Sequence, residues 1–197
     1  MPKEKREIQK QDIMSLDVYI KNRKELRKNI VSFKKDRRIA LGPYATFYFE
    51  SYETMLAQVQ EMLYIEKGGD EQLKDELEAY NPLIPNGKEL TATLMFEIDN
   101  PVSRSAFLSK VGGIEEKVFI KIDGEIAKAV PEKDVDRTSA DGKASSVQFI
   151  HFELTDKQIQ KFKSKNIDIE LGIDHKDYSH TTKLSLENIN SLSADFN

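Results

Sequence analysis

Arginine and lysine side chains recur at helical spacing near the start of the chain, and these are the residues whose types most readily suggest chemistry. Lys21 to Arg38 holds nine basic residues against two acidic ones, Glu25 and Asp36, a net of +7. The whole chain carries −4, so the remainder carries −11. Arg23, Arg27, Lys34 and Arg38 fall near one face of a helix. Guanidinium forks suit phosphate or carboxylate, so this face points to a small anionic ligand or an acidic partner, and otherwise to the acidic residues of the chain itself. Overall acidity argues against general nucleic-acid binding.

A second group of polar residues lies near turns. Tyr80 and Asn81 precede the Pro-bounded stretch Asn81-Pro-Leu-Ile-Pro-Asn-Gly87, and a rigid loop on a scaffold is a common carrier of function. Asp174, His175 and Tyr178 cluster near the C-terminal end. With Arg37 and Arg38 they make the candidate ligand-binding set: Arg37, Arg38, Tyr80, Asn81, Asp174, His175 and Tyr178. If Arg38, Asn81 and His175 converge, the pocket would suit an enzyme acting on a small anion. Catalytic roles are not assignable: no P-loop, dinucleotide glycine fingerprint, G-x-S-x-G or kinase signature is present. Pairs such as Glu61 with Glu66, or Glu76 with Glu78, do not differ by spacing from ordinary surface acids.

Metal chemistry has little to build on. There are three histidines, His151, His175 and His180, and no cysteine. Thiolate zinc, iron–sulfur ligation and cysteine nucleophiles are therefore excluded. His175 and His180 are five residues apart, which does not place two ligands on one helix face, and H-E-x-x-H is absent. No cofactor is expected and no metal ligand is assigned, and whether His175 and His180 bind a metal is left open by the sequence.

The elements that must position these residues follow from periodicity. Tyr19, Leu26, Ile30 and Phe33 mark an amphipathic helix over 16–36, with Ser15 as N-cap and Asp17 in its first turn. Met55, Val59, Met62 and Leu63 mark another over 52–66, and Leu73 and Leu77 a short one over 71–80. Helical patterns also cover 102–110 and 155–163, and a weak one follows Glu187. Alternation predicts strands at 45–50, 89–98, 117–122, 125–130, 147–154, 167–173 and 181–186. Asp123-Gly124 between two of them signals a tight hairpin, and 131–145 reads as a polar loop.

Helices crowd the first third and strands the rest. The expected class is therefore α+β, with a mostly antiparallel sheet of about six or seven strands covered by the N-terminal amphipathic helices. The expected organisation is a flexible tail over 1–14 and a single domain over 15–197, a length fitting one core. Apolar residues make up 39% and charged residues 32%, a globular balance. The charged N-terminus, the absence of a membrane-length apolar run and the lack of cysteine predict a soluble cytoplasmic protein with no membrane partner.

Several stretches resemble an uncharacterised bacterial family. Arg38-Ile-Ala-Leu-Gly-Pro43, Gln58-Val-Gln-Glu-Met-Leu63 with Glu66, Tyr80-Asn-Pro-Leu-Ile-Pro85, Ala92-Thr-Leu94, Ser146-Val-Gln-Phe149 and Asp174-His175 with Tyr178 are similar, in order, to the family numbered 3501 among the domains of unknown function. The family pattern often places Pro after the Asp-His pair, where this chain has Lys176. The resemblance implies company with rubrerythrin-like and iron–sulfur heterodisulfide-reductase-like proteins, hence a place near peroxide or redox metabolism. A chain without cysteine would serve there as an accessory or binding protein, its partner another protein of a redox system. The alternative is the anion-processing enzyme above. Oligomeric state is open.

Overall fold

The computed structural model describes residues 6–132, 138–139, 142–164 and 167–197. Six helices are described: α1 (Leu16–Lys35), α2 (Tyr52–Glu66), α3 (Gly69–Tyr80), α4 (Pro101–Leu108), α5 (Asp156–Ser164) and α6 (Leu186–Ser193). Nine strands are described: β1 (Arg38–Leu41), β2 (Ala45–Phe49), β3 (Glu89–Phe96), β4 (Val118–Ile122), β5 (Glu125–Lys128), β6 (Val130–Pro131), β7 (Val147–Glu153), β8 (Ile169–His175) and β9 (Tyr178–Lys183). The α+β class and the antiparallel pairing are as expected. The strands, however, divide between two sheets, ordered β1-β2-β3-β7-β6 and β5-β4-β8-β9.

Alternation decides which side chains face inward. In the five-stranded sheet Ile39, Leu41, Ala45, Phe47, Phe49, Leu90, Ala92, Leu94, Phe96, Ile150 and Phe152 all point to one side. Register pairs them directly, Phe47 with Leu94, Phe49 with Ala92 and Leu90 with Phe152. The four-stranded sheet answers with Val118, Ile120, Ile122, Ile169, Leu171 and Ile173, and α5 and α6 close the gap with Ile159, Phe162, Ile189 and Leu192. Two inner faces filling one core explain why a single sheet does not form: each buries its apolar side against the other.

The opposite face of the five-stranded sheet is mostly polar, with Thr46, Tyr48, Glu50, Thr91, Thr93 and His151. A smaller cluster of Tyr52, Met55 and Val59 from α2, Leu73 from α3, and Leu83 and Ile84 from the proline turn packs on it, with Phe149 at its edge. The described part of the expected flexible tail belongs here too. Ile8 is fully buried in this cluster, its backbone N–H donates to Asn81 Oδ1 at 2.8 Å, and its carbonyl accepts from Asn81 Nδ2 at 3.1 Å. Arg6 reaches the Pro85 and Asp195 carbonyls. Residues 6–14 are thus a strap, not a loose end. Residues 1–5 of the expected tail, and 133–137 and 140–141 of the expected loop, lie outside the described residues.

Local signals mostly set the element ends. Ser51 accepts from the Thr54 N–H and Ser185 from the Asn188 N–H, capping α2 and α6. Ser15 stands at the N-cap of α1 without a side-chain capping bond. Asp123 and Gly124 both take positive φ, 49° and 81°, the geometry of a two-residue hairpin turn. The helix expected over 16–36 ends at Lys35, and Arg38 opens a strand instead.

Candidate functional site

The residues singled out by chemistry are placed in separate parts of the fold, each with its own structural partners. Arg37 is 1% exposed. It donates to the carbonyls of Phe49 at 3.0 Å, Glu50 at 2.7 Å and Ser191 at 3.1 Å, and to the Asp195 carboxylate. It therefore locks α6 and the C-terminal turn onto the β1–β2 hairpin.

Arg38 points out of the opposite sheet face. It pairs with Glu97 at 3.3 Å and lies over the Tyr48 ring. Glu97 also accepts from Thr46 at 2.6 Å and Tyr48 at 2.7 Å. These hydroxyls, then Arg38, hold the Glu97 carboxyl below the usual carboxylate range. Asn81 is spent on the Ile8 backbone. Tyr80 leans into the smaller cluster, and burial pushes its hydroxyl up.

Asp174, His175 and Tyr178 surround the β8–β9 turn, where His175 Nδ1 accepts from the Asp177 N–H at 3.2 Å. The Tyr178 hydroxyl accepts from the Tyr44 and Ala45 N–H groups at 3.1 and 3.0 Å and donates to the Leu41 carbonyl. It staples the second sheet to the β1–β2 turn. Gly42 makes this approach possible: its φ is +64°, and a Cβ there would stand 2.6 Å from the His180 ring and 2.7 Å from the Tyr178 hydroxyl. Asp174 lines a groove on the outer face of the four-stranded sheet and Asn81 lines another beside the strap, and neither contains Arg38 or His175. Neither groove brings Arg38, Asn81 and His175 together.

Two other polar clusters are buried enough to notice. Glu50, 5% exposed, accepts from Thr54 at 2.6 Å and Thr93 at 2.8 Å. His151 lies between Glu89 at 3.1 Å and Glu132 at 3.0 Å. Burial pushes its imidazole down, but the two carboxylates outweigh it and the net direction is up. Among the described residues no group of three or more His, Cys, Asp or Glu is placed to hold a metal ion.

The surface that stands out is α1. It has 20 residues, and Tyr19 is its sole buried side chain. Tyr19 donates to Glu61 on α2 at 2.6 Å, and Arg23 binds the same carboxylate through two nitrogens at 3.0 and 2.9 Å while stacking on Tyr64. The far end is held by Asn188, which donates to the Asp36 carbonyl. Between these anchors the side chains that α1 turns toward α2, Leu26 and Ile30, are only half-buried. A groove of about 420 Å³ opens between the two helices, walled by Leu26, Ile30, Phe33, Leu56 and Ala57.

On its other side α1 bounds a shallower groove of about 660 Å³, lined by Ile20, Arg23, Lys24, Arg27, Lys28, Val31 and Tyr64. Ile20 is 51% exposed and Val31 69%, and Leu16, Val18 and Phe33 are exposed as well. The periodic stripe Tyr19-Leu26-Ile30-Phe33 explains the α2-facing side alone. Ile20 and Val31, off that stripe and among lysines, were the available signal for the second face.

No helix of the described residues is long and apolar enough to cross a membrane. Among solved structures, a protein of unknown function from Burkholderia pseudomallei matches with a TM-score of 0.90 and 33% identity, over 96% of this chain and 99% of that one. No curated protein matches the chain. A family model described as "Protein of unknown function (DUF3501)" covers residues 7–196. With almost every residue inside that match, and a structural relative of the same fold over its full length, the chain belongs to the DUF3501 family.

Proposed function

We propose that this chain is a cytoplasmic binding or accessory protein whose contact element is α1. The observation that carries the reading is the burial of that helix. A 20-residue helix spans about 30 Å, yet α1 buries one side chain and leaves Leu16, Val18, Ile20, Val31 and Phe33 exposed. Burying a side chain of this size is worth roughly 1.5–3 kcal/mol, and grouped exposed apolar residues mark interaction sites more often than chance. Among the polar candidates, Arg37, Asn81, His175 and Tyr178 are instead tied to backbone groups. The cysteine-free composition agrees with a reducing compartment. A redox protein remains the partner class expected from the family resemblance; the surface itself speaks for a protein contact of some kind.

The test is site-specific photo-crosslinking in cells, with benzoylphenylalanine replacing Val31 on α1 or Ile126 on the outer sheet face, both exposed. A discrete adduct from position 31 that is absent from position 126, and lost on Ile20→Ser with Val18→Ser, is the expected result. Identical adduct patterns from both positions, or none from either, would overturn the reading.

A further inference from the structure

We propose that the outer stripe of α1 docks an acidic amphipathic helix of a partner protein; this rests on the reading of α1 as the contact element and specifies the chemistry that fits it. Ile20, Lys24, Arg27 and Val31 are spaced four, three and four residues apart, so they form one line along the helix surface. They line the shallow groove together with Arg23, Lys28 and Tyr64. Every charged side chain lining that groove is a cation. Arg23 is already neutralised by Glu61 at 2.9 Å, and Arg27 only grazes Glu61 at 4.0 Å. Lys24 and Lys28 make no ion pair among the described residues. The stripe thus reads apolar, cation, cation, apolar over about 16 Å. Its complement is a helix presenting apolar, acid, acid, apolar at the same spacing.

Other occupants fit less well. A second copy packing antiparallel on the same stripe would place Lys24 against Arg27, and like charges at contact distance repel. A small anion would engage the lysines and leave Ile20 and Val31 uncovered. An anionic membrane favours a continuous apolar face with cations at its borders, whereas here Lys24 and Arg27 sit on the line between the two apolar residues. A partner helix satisfies the ends and the middle at once. Such a stripe also sets register, because a one-residue slip moves each acid off its cation.

The test uses the full chain and a synthetic helical peptide of about 18 residues, long enough to populate helix, with Leu, Glu, Glu and Leu at the complementary spacing. A second peptide carries Lys in place of both Glu. Fluorescence anisotropy should show saturable binding of the acidic peptide, weakened by added salt. Lys24→Glu with Arg27→Glu should weaken it roughly tenfold, and the lysine peptide should then bind the double variant better than it binds the native chain. Both substitutions lie on an exposed helix face, and circular dichroism checks that the variant remains folded. Absent or variant-insensitive peptide binding would overturn the proposal. So would cosedimentation of the native chain with phosphatidylserine vesicles that the double variant abolishes, or sedimentation showing a dimer lost on the same substitutions. If crosslinks from Val31 form while the peptide fails, the contact role of α1 stands and the acidic-helix chemistry falls.

Discussion

Replacing Arg37 should be among the most damaging single changes in this protein, and the structure says how damaging. The guanidinium is dry, with side-chain exposure of 2% for Arg37 and 2% for Asp195. It serves four acceptors: the Asp195 carboxylate and the carbonyls of Phe49, Glu50 and Ser191. Arg37→Ala strands a buried carboxylate, a change that costs about 3–5 kcal/mol. That is a large part of the ~5–15 kcal/mol that holds a domain folded. With a urea dependence of ~2 kcal/mol per molar, the unfolding midpoint should fall by about 1.5–2.5 M. Asp195→Ala should cost less, because the cation it leaves behind keeps three carbonyl acceptors. Arg37→Met with Asp195→Leu removes both charges, yet it should recover only part of the loss, since three carbonyls still lack their donor at ~1–3 kcal/mol for each one left unsatisfied. Urea unfolding followed by far-UV circular dichroism gives these values, and adding Arg37→Ala with Asp195→Ala closes a double-mutant cycle. An Arg37→Ala loss below about 1 kcal/mol, the range of an exposed pair, would refute the claim that this ion pair is the lock between α6 and the β1–β2 hairpin.

Three further outcomes follow from the same contacts. Tyr178→Phe removes the acceptor of two backbone N–H groups and the donor to Leu41; it should cost about 1–3 kcal/mol and speed hydrogen exchange at Tyr44 and Ala45 selectively. His151 is held above its ordinary value of 6.5 in the folded state, so its contribution is fully present below that value and is lost as pH rises through the folded value. The stability gap between the native chain and His151→Gln should therefore narrow with rising pH, and a gap that widens would refute the pairing with Glu89 and Glu132. A fragment of residues 88–197 should give no cooperative melt, because it loses β1 and β2, and with them the partners of Phe96, Leu94 and Ala92 across the sheet.

Much of the secondary structure could be read from spacing, and the reason is visible in the register. Phe47 and Phe49 alternate with Thr46 and Tyr48 because one face meets a dry core and the other a polar layer. Asp123-Gly124 announces its hairpin because few residue pairs accept two positive φ values in succession. What alternation cannot say is which strands pair. β4 and β5 form a local hairpin, but β4 then joins β8, about fifty residues away, rather than β3. That choice is made by packing of two inner faces, a non-local event. Arg38-Ile-Ala-Leu41 does not register as a strand in sequence because four residues carry too few alternations, although Ile39 and Leu41 face the core like their partners Phe47 and Ala45.

The site was less legible, for a related reason. A sequence displays donors and acceptors without showing which are already satisfied. Asn81 and Tyr178 look like loop groups available for a ligand, but one imitates a backbone partner for Ile8 and the other closes three backbone groups of the β1–β2 turn. Arg37 and Arg38 are adjacent and of one type, yet the pleat sends one into the interior and leaves the other on the surface with Glu97. The residue types richest in chemistry are therefore largely those whose donors and acceptors the fold itself consumes. The opposite bias hid α1. Its charges look like a basic face, and its period gives the apolar stripe wholly to the core. Only the absence of a covering layer over Ile20 and Val31 shows that the helix has a second apolar stripe, interrupted by Lys24 and Arg27. A charge run on a helix that is buried along its length is solvated decoration. The same run on a helix that buries a single side chain borders a surface that lowers its free energy when something covers it.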